Sequence, residues 1–423
     1  MEEAVAYSTL AVTVTLAVSR PRVGLRELRV TPGTAALFGV VVLFLTGLLG
    51  FGDMLASARL QWRPLLSLTC IMAMTGVVQE IGTFERLARW LESHARTTSA
   101  RRAFALVFAL SVATPSLLNN DAAILLLTPL VVALSRRLYP GRADVTEAFA
   151  FAVFLAPGVA PFVISNPMNM IVAEFAGLGF NAYAAIMLPI SLAGALLTYA
   201  VLRWHYGPIL DSAVPTGTSS EIPPAHRAER PAVVLLLAVF LAYPIAASLG
   251  VQIWTVAVAG ALGALWIARH HGVASTPKLL THVSPDILVF LWGVFLVVGA
   301  LRKVGVVDHL AALYATFPHG SGREIGGIGV VAALGSAIVD NHPMTILNML
   351  ALGDRHNSRA LLAALVGGDI GPRLLPIGSL AGLLWMALLR RAGVEISVGK
   401  FVRLGTLVLI PTLTASLVLL WAL

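Results

Sequence analysis

Apolar residues dominate ten stretches of this chain, near residues 4–19, 33–50, 62–82, 146–178, 183–203, 231–249, 252–269, 285–301, 359–389 and 402–422. A helix needs roughly 20 apolar residues to cross the bilayer hydrocarbon, so the pattern predicts about ten transmembrane spans. Two further apolar segments, 103–135 and 324–353, are interrupted near their middles by Asn, Asp and Pro. Each is short for two crossings, which predicts a re-entrant hairpin whose polar tip is surrounded by protein at membrane depth. Spans 146–178 and 359–389 are themselves broken, the first at Pro157-Gly158 to Pro161 and Ser165-Asn166-Pro167. The second breaks at Gly367-Gly368-Asp369-Ile370-Gly371-Pro372 and Pro376-Ile377-Gly378-Ser379.

The two halves repeat. Thr75 to Gly82 parallels Val298 to Gly305 at an offset of 223 residues, and Leu118-Asn119-Asn120-Asp121 parallels Val339-Asp340-Asn341-His342 at an offset of 221. Arg101 and Arg102 before the first hairpin, with Arg136, Arg137 and Arg142 after it, place both of its ends on the basic, cytoplasmic side. With the N-terminus outside, 21 of the 29 Lys and Arg fall on the cytoplasmic side and seven outside, with Arg373 inside a span. On that topology the repeats face opposite ways. Matched broken segments in two inverted halves are the sequence pointer to a secondary transporter whose site lies near the midplane.

The expected fold class is therefore an all-α polytopic membrane protein with two inverted repeats, two re-entrant helical hairpins and discontinuous helices at the midplane. Its expected parts are N-terminal scaffold helices (1–61), a first repeat (62–210), a cytoplasmic linker (211–230), further scaffold helices (231–284) and the second, inverted repeat (285–423). The linker is the longest polar stretch and is rich in Pro, Gly and Ser. The first apolar stretch follows Met1-Glu2-Glu3 rather than a basic leader and reads as a retained span. The expected location is the cell inner membrane, with both termini outside the cytoplasm.

Composition narrows the chemistry. With 58% hydrophobic and 12% charged residues and a mean hydropathy of +0.86, the chain carries more apolar surface than a soluble domain can bury. The net charge of +8 is spread singly or in pairs between apolar runs and reports topology, not a nucleic-acid partner. Cys70 is the only cysteine, which excludes an intrachain disulfide and a transport site of several thiolates. There is no phosphate-binding G-x-x-x-x-G-K-[ST] loop and no H-E-x-x-H pair. The expectation is a protein that is not an enzyme and has no cofactor.

Ionisable residues inside membrane segments are costly and usually functional. Asp121 and Asp369 are candidates for proton coupling, and Asp340 with His342 is a second candidate couple. For Asp369 a structural role competes, because Arg373 stands four residues on, and His342 has the alternative of bonding a neighbouring carbonyl. Asn119, Asn120, Ser165, Asn166, Asn169, Asn341, Gly378 and Ser379 are the candidate substrate-binding positions, offering neutral groups suited to a small hydroxylated solute or a partly dehydrated cation. Their competing role is to satisfy backbone groups freed at the breaks. Pro115, Pro167, Pro343, Gly371, Pro372, Arg373 and Pro376 are expected to shape those breaks. The helix starts after Pro167, Pro343 and Gly378 present positive dipole ends.

Three motifs carry a family resemblance: Leu117-Leu118-Asn119-Asn120-Asp121-Ala122-Ala123 with Leu127-Thr128-Pro129; Ile164-Ser165-Asn166-Pro167 with Gly177-Leu178-Gly179-Phe180; and Gly368-Asp369-Ile370-Gly371-Pro372-Arg373 through Pro376-Ile377-Gly378-Ser379-Leu380-Ala381 to Leu384-Trp385. In these the chain resembles the arsenite/antimonite efflux permeases. That resemblance implies the ion-transporter superfold with scaffold and transport domains, and proton-driven extrusion of trivalent arsenic and antimony hydroxides. It also implies that a cytoplasmic ATPase subunit sometimes assists, and it leaves the oligomeric state open. Carried over by position, it marks Asn119, Asn120, Asp121, Ser165, Asn166, Asp369, Gly371, Pro372, Gly378 and Ser379. The chain departs from the family pattern at Asp340-Asn341-His342, where two adjacent asparagines are often found. The competing readings are a sodium/proton antiporter or dicarboxylate symporter of the same superfold, and a membrane anchor for an ATP-driven pump.

Overall fold

The computed structural model describes residues 2–19, 22–23, 28–96, 98–117, 120–216, 223–273, 278–279, 282–353 and 357–423. Helices α1 (Glu2–Ser19), α2 (Pro32–Leu45) and α3 (Phe51–Glu80) lead to the short α4 (Thr83–Arg96). The first hairpin is α5 (Ala100–Leu117) with α6 (Asn120–Leu138), and the first broken span is α7 (Ala143–Leu155) with α8 (Pro167–Phe175). After α9 (Phe180–His205) and α10 (Gly207–Ser212) come α11 (Glu229–Ser248), α12 (Ile253–His270), α13 (Pro285–Lys303) and the short α14 (Val306–Ala315). The second hairpin is α15 (Gly322–Val339) with α16 (Asn341–Leu352). The second broken span is α17 (Ser358–Ile370) with α18 (Leu380–Arg391), and α19 (Val398–Ala422) closes the chain. Two two-residue strands, Arg22–Val23 and Leu28–Arg29, pair antiparallel between α1 and α2 and are the only strands among the described residues.

Among the described residues, six helices, α9, α11, α12, α13, α15 and α19, are each long and apolar enough to cross a membrane alone, and α3 with α4 forms a pair bent by 61° that also qualifies. The segments 146–178 and 359–389 fall short as single helices because their breaks divide them into α7/α8 and α17/α18. Large apolar side chains such as Leu196, Trp204, Leu241, Trp266, Ile410 and Trp421 stand exposed on α9, α11, α12 and α19. Exposure of this kind across several helices is the surface of a protein bathed in lipid. The chain is a multi-pass membrane protein.

The aligned positions Gly82 and Gly305 share one backbone conformation. Each follows a long helix, α3 or α13, and each has φ +81°, a turn that glycine makes at little cost. The turn feeds α4 in the first half and α14 in the second. Each short helix is then fastened to its neighbouring hairpin. Glu92 of α4, buried, lies 3.6 Å from Arg89 and 3.7 Å from Arg137 at the end of α6. Tyr314 of α14 donates to Asn348 of α16 at 2.5 Å.

Packing follows small residues. Helix α2 lies against α13, with Gly293 seated on Ala36 and Gly33 donating its N–H to Asp286 at 3.0 Å. Helix α15 lies against α17 with backbones in contact: a Cβ at Gly367 would overlap the carbonyl of Gly329, and one at Gly371 the carbonyl of Ala333. Close approach through small residues is how helices associate where lipid removes the usual hydrophobic drive. A separate aromatic cluster of Phe151, Phe154, Trp385 and Phe401 binds α7, α18 and α19 together, with Phe154 and Trp385 stacked at 4.8 Å.

Gly367→Ala should therefore lower the melting temperature, by an overpacking cost of about 1–3 kcal/mol. Gly299→Ala on α13, where an added Cβ meets nothing within 4 Å, should leave it unchanged or slightly raised. Thermal melting of the two purified variants checks the contrast, and equal melting would refute the close backbone packing of α15 on α17.

Candidate functional site

Breaking a helix inside a membrane strands backbone carbonyls and amides that no lipid can satisfy. Helix α7 ends at Leu155, and Pro157 cannot extend it. Its loose carbonyls are taken by the second half of the chain. Arg373, which follows the end of α17, donates from Nη2 to Leu155 O at 2.8 Å and Pro157 O at 3.4 Å. From Nη1 it donates to the hydroxyls of Thr412 on α19 at 3.0 Å and Thr198 on α9 at 3.5 Å. The residue is 3% exposed. Gly405 of α19 lies hard against the Arg373 carbonyl, where no side chain fits.

The reciprocal bond runs from the first break to the second. Asn166 caps α8, accepting from Met168 N at 3.0 Å through Oδ1, and its Nδ2 donates to Asp369 Oδ1 at 3.2 Å. Ser379 caps α18 in the same way, accepting from Gly382 N at 3.0 Å. The two broken spans are thus laced together, each supplying a polar group that the other break needs.

A cavity of about 30 Å³ lies where they meet, bounded by Asn120, Ile124, Phe154, Pro157, Asn341, Asp369, Pro372, Arg373, Ser379 and Ala381. Asn120 and Asn341 open the second arms of the two hairpins, so asparagines at matched positions of the two halves line one space. The Oδ1 atom of each is buried and has no hydrogen-bond partner among the described residues. Such an acceptor costs about 1–3 kcal/mol. The volume suits a water or two. A hydroxylated solute with several heavy atoms requires the walls to move apart.

The tip of the second hairpin has its own chemistry. Asp340 sits at φ +86°, ψ 148°, the single non-glycine residue with positive φ among the described residues, a conformation costing about 1–3 kcal/mol. Its Oδ1 accepts from the backbone N of His342 and lies 2.9 Å from His342 Nδ1. Both side chains are buried. The His342 ring meets Phe290 of α13 edge-on at 5.7 Å.

Of the residues singled out by sequence, Asn120, Asn341, Asp369 and Ser379 line the cavity with Pro372 and Arg373, and Asn166 joins them through Asp369. Ser165 donates to Ser116 O at the end of α5, at 3.0 Å. Asn169 donates to Phe162 O and Ala160 O at 3.2 and 3.5 Å. Ser165 thus satisfies backbone at the end of the first hairpin arm, and Asn169 satisfies backbone at the first break. Gly378 is a close-packing position against Pro372 and Ala337. Pro115 lies within α5, while Pro167, Pro343 and Pro376 sit in the first turns of α8, α16 and the 376–378 turn. Gly371, Pro372 and Arg373 form a 3-10 turn, so the four-residue spacing from Asp369 does not continue a regular helix. The guanidinium bonds to neutral oxygens, and Asp369 acts on it electrostatically. Asn119 and the side chain of Asp121 lie outside the described residues. Sequence reasoning did not find Thr198, Thr412 or Phe154; a hydroxyl or a ring in an apolar helix carries no local signal of its partner.

A second, larger cavity of about 330 Å³ lies between α3, α8, the start of α9 and the turn joining α11 to α12, lined among others by Ser67, Val163, Met170 and Phe180. Arg63 of α3 pairs with Glu174 of α8 at 2.9 Å beside it. Trp62 and Trp254 pack at 5.4 Å nearby.

Comparison with known proteins covers nearly the whole chain. Residues 9–423 match the family described as arsenical pump membrane protein, ArsB. The chain is 29% identical over 402 residues to the arsenical pump membrane protein of Escherichia coli K12, covering 91% of this chain and 92% of that one. It is 28% identical to the Yersinia enterocolitica protein of the same description, covering 97% of each. An uncharacterized transporter of Mycobacterium tuberculosis H37Rv is 29% identical over 93% of this chain and 94% of its own length. Among solved structures, the YdaH transporter of Alcanivorax borkumensis superposes with a TM-score of 0.61 at 18% identity, over 99% of this chain and 96% of that one, which establishes a shared fold. The chain belongs to the arsenical pump membrane protein family.

Proposed function

We propose that this protein extrudes the uncharged hydroxides of trivalent arsenic and antimony from the cytoplasm, across the cell inner membrane, in exchange for protons. The observation that carries the reading is that Asn120 and Asn341, one from each half and each with an unpartnered Oδ1, line one cavity with an acid, Asp369, and a base, Arg373. A neutral polyhydroxyl solute supplies hydroxyl donors to those acceptors and adds no charge. Cys70 lies buried in α3 and is absent from the cavity lining, so recognition proceeds through oxygen and not thiolate.

Proton exchange follows from charge balance. With Asp369 ionised, Arg373 is neutralised and Asn166 is held by a charge-assisted bond; this state loads the solute. Protonation of Asp369 weakens that bond and leaves the guanidinium unbalanced, which favours release and return of the empty carrier. Asp121 on the first hairpin and the Asp340–His342 couple on the second are the further proton-carrying groups of this scheme. On the topology with both termini outside, the larger cavity beside Arg63 and Glu174 is the exit vestibule. The cycle needs no ATPase subunit, so the purified chain suffices.

Everted vesicles or proteoliposomes containing the chain alone should accumulate arsenite under an imposed proton gradient, and a protonophore should abolish the accumulation. Intact protein with no metalloid flux would sink the reading. Asp369→Asn should fold and lose gradient-driven flux; if it and Asp121→Asn both keep it, the coupling assignment fails. Asn120→Ala and Asn341→Ala should each reduce flux about tenfold, the worth of one hydrogen bond, without lowering the melting temperature, since the deleted acceptor has no partner to orphan. Loss of stability in step with flux would make these asparagines structural.

A further inference from the structure

We infer that Arg373 is a built-in cation that occupies a site whose oxygens would otherwise hold an alkali metal ion. In transporters with broken helices, the carbonyls loosened at a half-helix C-terminus are where a coupling cation is held. Here the C-terminal end of α7 presents Leu155 O and Pro157 O, and the neighbouring spans add the hydroxyl oxygens of Thr198 and Thr412. Four neutral oxygens from three segments are the hard donor set that an alkali cation takes. They converge on a guanidinium instead, at 2.8 to 3.5 Å.

The substitution is consequential because arginine does not deprotonate in proteins. A bound sodium ion arrives and leaves with each cycle; the Arg373 charge is covalently held and, at 3% exposure, shut away from water. It fills the site sterically and repels any second cation, and so it supplies the structural half of a cation's work while giving up the coupling half. Its backbone is fixed as firmly as its head, since Gly405 of α19 packs directly on its carbonyl. Exchange of charge with the bulk is then left to carboxyl and imidazole groups. This inference rests on the proposed function only in taking the breaks as the transport site, and the identity of the solute does not enter.

The test is the melting temperature of the purified full-length chain in sodium chloride, potassium chloride and choline chloride at equal ionic strength. Wild type and Arg373→Lys, which keeps the charge, should melt alike in all three. Arg373→Met removes the cation and leaves the oxygens, and should acquire a sodium- or potassium-specific rise of about 2 °C or more over choline at tenfold saturation. If Arg373→Met is too unstable to purify in choline, the inference requires that sodium or potassium restore a folded, monodisperse protein. A sodium-specific shift in wild type overturns the inference, as does an Arg373→Met protein that responds to no alkali cation or stays unfolded in all three salts. Because the readout is stability, a chain with no metalloid flux would defeat the proposed function and leave this result standing.

Discussion

The structure depends on satisfying the backbone groups that its two broken spans release inside the membrane. Water is not there to do it, and each unpaired carbonyl or amide would cost as much as a lost hydrogen bond. The solution is an exchange. Arg373 of the second half completes the end of α7, and Asn166 of the first half reaches Asp369 at the end of α17. Once that exchange is made, the cavity, its asparagines and the close packing of α15 on α17 have fixed positions.

Electrostatics follows from the same lacing. A buried guanidinium whose described hydrogen bonds go only to neutral oxygens shares its cavity with the carboxyl group of Asp369. With Asp369 ionised, as the proposed loading state has it, one charge of each sign lines the cavity and the site is polar and neutral on balance. In the proposed scheme such a site discriminates by hydrogen-bond pattern and not by net attraction, and a single proton taken up by Asp369 changes its balance from zero to one.

Two pairs of matched positions were legible because they are written in residue types with few alternatives. Gly82 and Gly305 align in sequence and share one positive φ, and Asn120 and Asn341 align and share one cavity. What could not be read was which polar residues serve the backbone and which serve the space. Ser165 and Asn169 are chemically as suitable as Asn120, yet they donate to backbone carbonyls, Ser165 to the end of α5 and Asn169 within the first break. Arg373 illustrates the limit most clearly. Its spacing from Asp369 invites a helical pair, but Gly371 and Pro372 turn the chain into a 3-10 segment, and the guanidinium goes to oxygens 39 to 218 residues away. No local window contains both partners of such a bond.

That separation bears on how the protein is made. A ribosome adds about 5–20 residues per second, so the 218 residues between Leu155 and Arg373 take on the order of 10–40 s to emerge. Through that interval Leu155 O and Pro157 O lack the donor that Arg373 supplies, and the 203 residues between Asn166 and Asp369 impose nearly the same wait on the other side. The first half of the chain therefore stays hydrated at its break, or incompletely inserted, until the second half arrives. Insertion of this protein is a joint event of its two halves, and a chain cut at the linker would have to find its complement before either half became stable in lipid.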